Sequence, residues 1–411
     1  MASAVGRTRR EILADAAKAA AAASVAGLAG CFPSVGGRWP DAATQTSCPE
    51  PDGGTAAGTF PAVTPTVVEV YRPESVAVGA KTVIQADVVA AMLDAGLAAF
   101  ARQVALFNGS SAQDGGAATD DAGLSDAGGG SQASDAGQPG QNGGVDNPWK
   151  VLLPNYRPGQ RIGLKVNCLN GLLPTSPAIV RAIIASLRDK AGVDPTTIVV
   201  WDRFHSELTD AGKYGPDDLA GAQLLGTLDR PFDPKKGETE AMVTPAGLGY
   251  GDSINPPVEC LSPRLSRILT DPNITNITIN CPVFKTHGVS TVTAAMKNIY
   301  GIIDIPGSYH SNLNTALPKL YALPAIRNSI SLTIVDALIA VISGDTSSPP
   351  NGTPGRILLA QDPVALDSYA LVLMSQLRAA VSMKPLVSSL AWIDNAAAAG
   401  LGSKNYSLIQ V

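Results

Sequence analysis

The run RIGLKVN at residues 161–167 has the composition of a β-strand, and a second strand-like run, TIVVWD, follows at residues 197–202. Between them, Thr175 or Ser176 can accept the first backbone N–H groups of a helix, and Pro177 suits its first turn. Nearly continuous apolar strands are typical of parallel sheets that are buried on both faces. This strand, helix and strand unit therefore predicts an α/β fold.

The same alternation of strand and helix continues on both sides of this unit. Strands are predicted at residues 66–71, 276–281, 331–336 and 356–360, and helices at residues 85–107, 176–190, 291–300 and 363–374. Residues 204–263 are irregular, with frequent Gly and Pro, and are predicted to form a small excursion or lid. We expect a mainly parallel sheet with helices on both faces.

Composition divides the chain further. We predict an export signal at residues 1–30, a flexible tether at 31–65, an α/β domain at 66–376 and a C-terminal helical extension of the same domain at 377–411. An insert at residues 108–148 interrupts the domain, and it contains eleven Gly and six Asp but almost nothing that could be buried. Because chain entropy should dominate there, the Gly/Ala/Asp-rich insert is predicted to be disordered.

The N-terminal segment resembles a bacterial export signal. TRREIL at residues 8–13 is similar to the twin-arginine translocation motif, and LAGC at 28–31 is similar to a lipobox, whose cysteine is acylated after cleavage. We therefore expect an exported lipoprotein of the periplasm or outer membrane, attached to the membrane only through lipid on Cys31. Asp15 and Lys18 interrupt the apolar stretch, so an amphipathic alanine-rich helix is the alternative.

Charge and motif content argue against several classes of protein. The formal net charge is −5, and outside residues 1–65 and 108–148 the chain has 25 basic and 24 acidic residues, so no nucleic-acid partner is expected. No C-x-x-C pair occurs, and no apolar run reaches the roughly 18 residues that span a bilayer. H-E-x-x-H, G-x-S-x-G, Walker A and G-x-G-x-x-G motifs are also missing, which disfavours zincins, serine hydrolases, P-loop NTPases and dinucleotide-binding proteins.

Polar residues stand at or just after the ends of the predicted strands. They are Lys165, Asn167, Cys168, Asp202, Cys281, Lys285, His287, Asp336 and Asp362. Ligands of open parallel sheets bind beyond the carboxyl ends of the strands, so these side chains are expected to converge on one crevice. The alternative is that each is an ordinary loop residue.

Residues 281–301 form the densest group of candidates. Lys285 and His287 precede a predicted helix whose first turn offers free N–H groups to a phosphate or carboxylate. Lys297 lies between apolar neighbours and needs a carboxylate partner if it is buried; otherwise it faces solvent and contacts nothing. The candidate partners are Asp202, Asp336 and Asp362.

The three histidines follow predicted strands or motif segments, where an imidazole can transfer protons or bind a metal near neutral pH. They are His205, His287 and His310. The alternative is that they are merely solvated.

Cys168 and Cys281 each follow an asparagine at the end of a predicted strand. They are placed to pair with each other, or to bind a metal together with a histidine such as His287. Two inert buried thiols are the simpler interpretation, and Cys48 or Cys260 are alternative disulfide partners.

Five motifs in combination resemble one known family. They are KVN at residues 165–167, FKTH at 284–287, TVT at 291–293, KNIYG at 297–301 and QDPVALD at 361–367. Over residues 66–376 without the insert, the chain resembles the bacterial and archaeal family called domain of unknown function 362, and the resemblance implies a shared α/β domain. Many members carry a ferredoxin-like module and are described as iron–sulphur proteins. The C-x-x-C-x-x-C run of that module is missing here, so an iron–sulphur cluster is not expected, while a metal ion stays open.

We predict an enzyme that acts on a small anionic substrate in the crevice. The predicted catalytic residues are Asp202, Lys285, His287, Lys297, His310 and Asp336, the predicted substrate-binding residues are Lys165, Asn167, Asn298 and Asp367, and the candidate metal ligands are Cys168, Cys281 and His287. One alternative is a non-catalytic envelope protein that binds an anionic or metal-bearing ligand. In another, a buried polar network serves only the fold; it would comprise Lys297, Asp336 and Asp367. Asp362 before Pro363 is predicted to be a helix N-cap.

Overall fold

One large mixed β-sheet holds most of the strands in the computed structural model, which describes residues 64–79, 81–110, 146–215 and 219–411. The strands are β1 (Thr66–Tyr71), β2 (Val76–Val78), β3 (Thr82–Ile84), β4 (Ile162–Lys165), β5 (Ile198–Phe204), β6 (Gln223–Leu228), β7 (Tyr250–Ser253), β8 (Arg264–Ser266), β9 (Ile277–Asn280), β10 (Val283–His287), β11 (Thr291–Thr293), β12 (Ile330–Val341), β13 (Arg356–Ala360) and β14 (Ser407–Gln410). The α-helices are α1 (Ala86–Ser110), α2 (Pro148–Leu152), α3 (Pro177–Ala191), α4 (Arg267–Thr270), α5 (Leu313–Tyr321), α6 (Pro324–Arg327), α7 (Pro363–Ala380) and α8 (Ala391–Ala398).

The strand order in the large sheet is β14-β1-β13-β12-β9-β4-β5-β6, with β10 paired to β12 and β11. From β6 to β12 the neighbours run parallel, whereas β13 is antiparallel to both β12 and β1. The predicted α/β class with a mainly parallel sheet is therefore confirmed. Because Lys165 is paired in register with Trp201 of β5 and Asn280 of β9, the carboxyl ends of these three strands lie side by side.

Two apolar layers cover the sheet. Side chains alternate along β5, so that Val199 and Trp201 pack with α5, α7 and α8 while Ile198 and Val200 pack with α1, α2 and α3 on the other face. The predicted position of helices on both faces is thus confirmed.

Helix α1 lies unusually close to the sheet. A Cβ on Gly96 would lie 2.7 Å from Val70 Cγ2 and 2.9 Å from Leu359 Cδ1, so a larger residue would push the helix outward. By length and composition alone, Ala86–Phe107 is apolar enough to cross a membrane, which the sequence analysis did not anticipate. The helix packs on β1 and β13, which accounts for this composition, since helices in the core of a protein can be equally long and apolar.

The predicted helix at residues 291–300 is wrong. Thr291–Thr293 forms β11, which pairs with β10 in a hairpin that aligns Lys285 with Thr293 and His287 with Thr291. The β-branched run TVT favours an extended backbone over a helix. A 3-10 helix, Met296–Gly301, then follows, and it begins where the Asp367 carboxylate accepts the N–H groups of Ala295 (2.7 Å) and Met296 (2.9 Å).

Three further segments differ from expectation. Within the irregular excursion, Gln223–Leu228 forms β6 and extends the sheet beside β5. The C-terminal extension contains α8 but ends in β14, which pairs in parallel with β1, so it is not purely helical. The helices α1 and α2 extend into the two ends of the predicted insert, and the rest of the insert, the signal with Cys31 and nearly all of the tether lie outside the described residues.

Replacement of Asp367 tests its support of the fold. Asp367→Ala is expected to lower the free energy of unfolding by about 3 kcal/mol, because it leaves two buried N–H donors without an acceptor. The neighbouring Ser368 hydroxyl is buried and has no hydrogen-bond partner among the described residues, so Ser368→Ala is the matched control and should change stability by less than about 0.5 kcal/mol. Urea unfolding measures both, and equal midpoints for the two variants would contradict the assignment.

Candidate functional site

A cleft opens beyond the carboxyl ends of β4 and β5 and beside the β10–β11 hairpin, with about 70 Å³ of space that water can enter. Seven of the predicted site residues line it: Asn167, Asp202, Lys285, His287, Lys297, Asn298 and His310. Their neighbours in the wall include Arg203, Glu207, Tyr300 and Gly301. The topology thus brings together residues that are separated by more than one hundred positions in the chain, because parallel strands end at the same edge of a sheet.

A buried ion pair closes the back of the cleft. Lys165 Nζ lies 2.8 Å from Asp202 Oδ1, and both side chains are almost inaccessible to solvent. Lys165 also donates to the Val166 carbonyl at 2.7 Å, while Asp202 Oδ2 accepts the N–H of Cys168 at 2.7 Å. A Cβ on Gly301 would lie only 2.7 Å from Lys165 Nζ, so glycine is needed for this segment to cover the pair. The ammonium of Lys165 is therefore paired with Asp202 and lies behind the residues that line the cleft.

A chain of amide side chains holds Lys285 in the cleft. Lys285 Nζ donates to Asn167 Oδ1 at 2.9 Å, and Asn167 Nδ2 donates to Asn298 Oδ1 at 3.1 Å. Asn298 Nδ2 in turn donates to Asn280 Oδ1 at 2.8 Å. Burial lowers the pKa of Lys285 to about 8, and none of the ion pairs in the described part of the chain includes it. Asn280, which completes this chain, was not among the predicted site residues.

Lys297 is buried, and no carboxylate of the described residues pairs with it, contrary to the prediction from the sequence. Its Nζ lies 3.6 Å from the centroid of the Tyr300 ring, whose hydroxyl donates to the Tyr309 carbonyl at 3.1 Å. The contact is a cation–π arrangement, so the expectation of an aspartate partner and the alternative of a solvent-facing lysine are both corrected. Burial, together with the positive charge of Lys285, lowers the pKa of Lys297 to about 7.

The two histidines of the cleft stack on each other, with ring centroids 5.6 Å apart. His287 Nδ1 accepts the N–H groups of Val289 (2.9 Å) and Ser290 (3.3 Å), so the proton of the neutral ring sits on Nε2. Burial, and then the charge of Lys297, lower the pKa of His287 to about 3 and that of His310 to about 4. Both rings are therefore neutral at physiological pH.

Glu207 is a cleft residue that the sequence analysis missed. It opens the π-helical turn Glu207–Ala211 directly after β5. Burial, and then the negative charge of Asp202, raise its pKa to about 7. In the sequence, Glu207 was marked only by its position shortly after Asp202, the acidic residue that ends a predicted strand. The surrounding region has an irregular pattern that predicted no helix or strand.

The other predicted aspartates lie away from the cleft. Asp336 lies within β12 instead of at its end, and its carboxylate accepts the N–H groups of Ser176 (2.7 Å) and Leu338 (3.1 Å). Ser176 is the N-cap of α3, so Asp336 fixes the start of that helix. Asp367 holds the 3-10 helix described above, and Asp362 caps α7 by accepting the Ala365 N–H at 2.8 Å, as predicted.

The candidate metal ligands do not form a cluster. Cys168 and Cys281 are free and buried, and burial raises the pKa of both thiols. Cys260 is disulfide-bonded and is therefore not paired with either of them. Within the described ranges, no group of three His, Cys, Asp or Glu side chains is placed to hold a metal ion.

The fold and the cleft define an α/β protein with a cationic site at the carboxyl ends of its strands. Residues 239–372 match the model of the family described as Domain of unknown function (DUF362), which is the family that the sequence motifs resemble. The matched segment is shorter than the resemblance drawn from the motifs, but it contains FKTH, KNIYG and QDPVALD.

Among solved structures, the chain is similar to the crystal structure of a protein from Thermotoga maritima, at 10% sequence identity and a TM-score of 0.36. The similarity covers 56% of this chain and 57% of that one. No curated protein matches the sequence.

The effect of the Lys297 charge can be tested by measuring how the free energy of unfolding depends on pH. The folded-state pKa of Lys297 is about 7 against 10.5 for an ordinary lysine, so between these values the unfolded chain binds more protons and the stability of the wild type rises with pH. Lys297→Met removes this penalty. We expect it to be more stable than the wild type near pH 7, with an advantage that shrinks toward about pH 10, as measured by urea unfolding.

The paired lysine provides the opposite control. Lys165→Met leaves the buried Asp202 carboxylate without a counter-ion and is expected to cost about 3–5 kcal/mol near neutral pH. A Lys297→Met variant that is also less stable than the wild type near pH 7 would show that Lys297 has a partner that stabilises its charge.

Proposed function

We propose that the protein is an enzyme that acts on a small anionic substrate in this cleft. The observation that carries the proposal is the burial of two lysines, Lys285 and Lys297, with no carboxylate paired to either in the described part of the chain. A buried ammonium without a counter-ion is costly, so such a site favours an anion that supplies the missing charge. The small volume of the cleft favours a small substrate.

The surrounding groups support distinct roles. Lys285, with a pKa of about 8, stays largely protonated at neutral pH and is held by Asn167, so it suits the binding of a carboxylate or phosphate. His287 is neutral with its proton on Nε2 and suits hydrogen bonding to the substrate.

Catalysis, as opposed to binding alone, is supported by two further groups. Lys297 and Glu207 both have a pKa of about 7, one lowered and one raised from its ordinary value. Groups that titrate near the working pH transfer protons most effectively. Because both groups can transfer protons near neutral pH, we prefer the enzyme over the alternative of a non-catalytic envelope protein for an anionic or metal-bearing ligand.

We also propose that the protein is located in the cell envelope. The TRREIL and LAGC motifs favour export to the cell envelope and attachment through lipid on Cys31, so the substrate would be met outside the cytoplasm. The cleft would then face the periplasm or another compartment of the envelope.

Anion binding tests the cleft. Calorimetry at neutral pH and low salt with a panel of short carboxylates, 2-oxo acids, phosphate and sulfate is expected to find at least one ligand for the wild type. Lys285→Gln should weaken that ligand by about 10- to 100-fold, as expected for the loss of one charged hydrogen bond.

Lys235→Gln, which removes an exposed lysine on the turn Pro234–Lys236, is the charge-matched control and should bind as the wild type does. Equal affinity of the wild type and Lys285→Gln for every anion of the panel would overturn the proposal. Conversion of the bound anion, followed by NMR, separates the two functions: stable binding without conversion would favour the receptor.

Lipid attachment is tested at Cys31. In the native host, the wild type is expected in the membrane fraction and should release its lipid-bearing N-terminal peptide for mass spectrometry, whereas Cys31→Ala should move to the soluble fraction. An unmodified Cys31 in a mature protein that still begins at Met1 would contradict the signal interpretation.

A further inference from the structure

We propose that Lys297 is a nucleophilic amine that forms an imine with the carbonyl carbon of a short 2-oxo acid whose carboxylate binds Lys285. This inference rests on the proposed function of the cleft and names its substrate class. It also assigns the two unpaired lysines different tasks.

The surroundings of Lys297 are those of a reactive amine. Its side chain is only 7% exposed, yet it lines the cleft, and Nζ lies over the Tyr300 ring at 3.6 Å with no hydrogen bond or ion pair to another described residue. Nothing in this part of the chain therefore occupies the nitrogen lone pair once the proton has left. The low-dielectric site and the charge of Lys285 favour the neutral amine, which is the form that attacks a carbonyl.

The other two lysines of the region do not suit this task. Lys165 is protonated in its ion pair with Asp202 and lies behind Gly301. Lys285 donates to Asn167 Oδ1, a hydrogen bond that favours its ammonium form, so it suits the carboxylate of the substrate. A molecule that satisfies both lysines carries an anionic group next to an electrophilic carbon.

A 2-oxo acid meets this requirement in a cleft with about 70 Å³ for water. The amine of Lys297 would attack the carbonyl carbon, so that a C–N bond forms, the C–O π bond breaks and one amine proton moves to the oxygen. The resulting hydroxyl then takes a second proton from Glu207, the cleft acid that titrates near neutrality, and leaves as water. The product is a protonated imine on Lys297 and an ionised Glu207, so atoms and charge balance.

Reductive trapping tests the inference. The purified wild type is incubated at neutral pH with glyoxylate, pyruvate or 2-oxobutyrate and sodium cyanoborohydride, and the adduct is located by peptide mass spectrometry. Trapping at Lys297 should be more than about ten-fold faster than at the exposed Lys235, because the lowered pKa of Lys297 leaves far more of its amine neutral than in an ordinary lysine. Lys297→Met should lose this adduct, and Lys285→Gln should require a higher concentration of the acid.

Binding of the same acids without reductant, measured by calorimetry, separates this inference from the proposed function. Binding that depends on Lys285, without an adduct on Lys297 for any of the three acids, would overturn the imine and leave the anion site in place. An adduct that spreads equally over Lys297 and exposed lysines would also overturn it. Failure of every anion to bind would overturn the proposed function itself.

Discussion

The cleft depends on the buried ion pair between Lys165 and Asp202. It joins the ends of β4 and β5, and Asp202 also accepts the N–H of Cys168 and so fixes the turn that carries Asn167. Asn167 then holds Lys285. Because breaking a buried pair leaves an uncompensated charge in a low-dielectric region, this one contact is difficult to remove without disturbing everything that lines the cleft.

The same pair explains the uneven charge of the site. It neutralises one of three neighbouring lysines with one carboxylate, whereas Lys285 donates to the amide oxygen of Asn167, which Asn298 and Asn280 support in turn, and has no counter-charge in the described part of the chain. The excess of positive charge is then felt by the remaining groups, since it contributes to the lowered pKa of Lys297 and His287. Neutral imidazoles and a partly neutral amine are consequences of the arrangement of the lysines as well as of burial.

Much of this arrangement followed from sequence patterns, and the exceptions have physical reasons. The polar residues at the ends of β4 and β5 were recognisable because apolar runs stop there, and Asp362 was recognisable as a cap because it precedes proline. Asp336 was misplaced because the apolar run continues beyond it to Val341, which keeps the backbone in the strand. The partner of Lys297 was missed because a carboxylate was expected to compensate a buried ammonium, whereas the ring of Tyr300, three residues further along the helical turn, contacts it instead.

The buried carboxylates and the buried lysines differ in how their charges are compensated by neighbouring groups. The groups that are compensated least are those that line the cleft. The carboxylates of Asp336, Asp362 and Asp367 each accept two backbone N–H groups, at least one of which lies at the start of a helix, where the helix dipole also favours negative charge. Each therefore has hydrogen-bond donors within the protein and stabilises an element, although burial still raises the pKa of all three, to about 6 for Asp336 and about 7 for Asp367. Lys285 and Lys297 receive one amide oxygen and one aromatic face, which compensate an ammonium far less well. Polar groups that serve only the fold would be expected to be satisfied as the aspartates are, so the incomplete solvation of the lysines is the feature that a bound anion would complete.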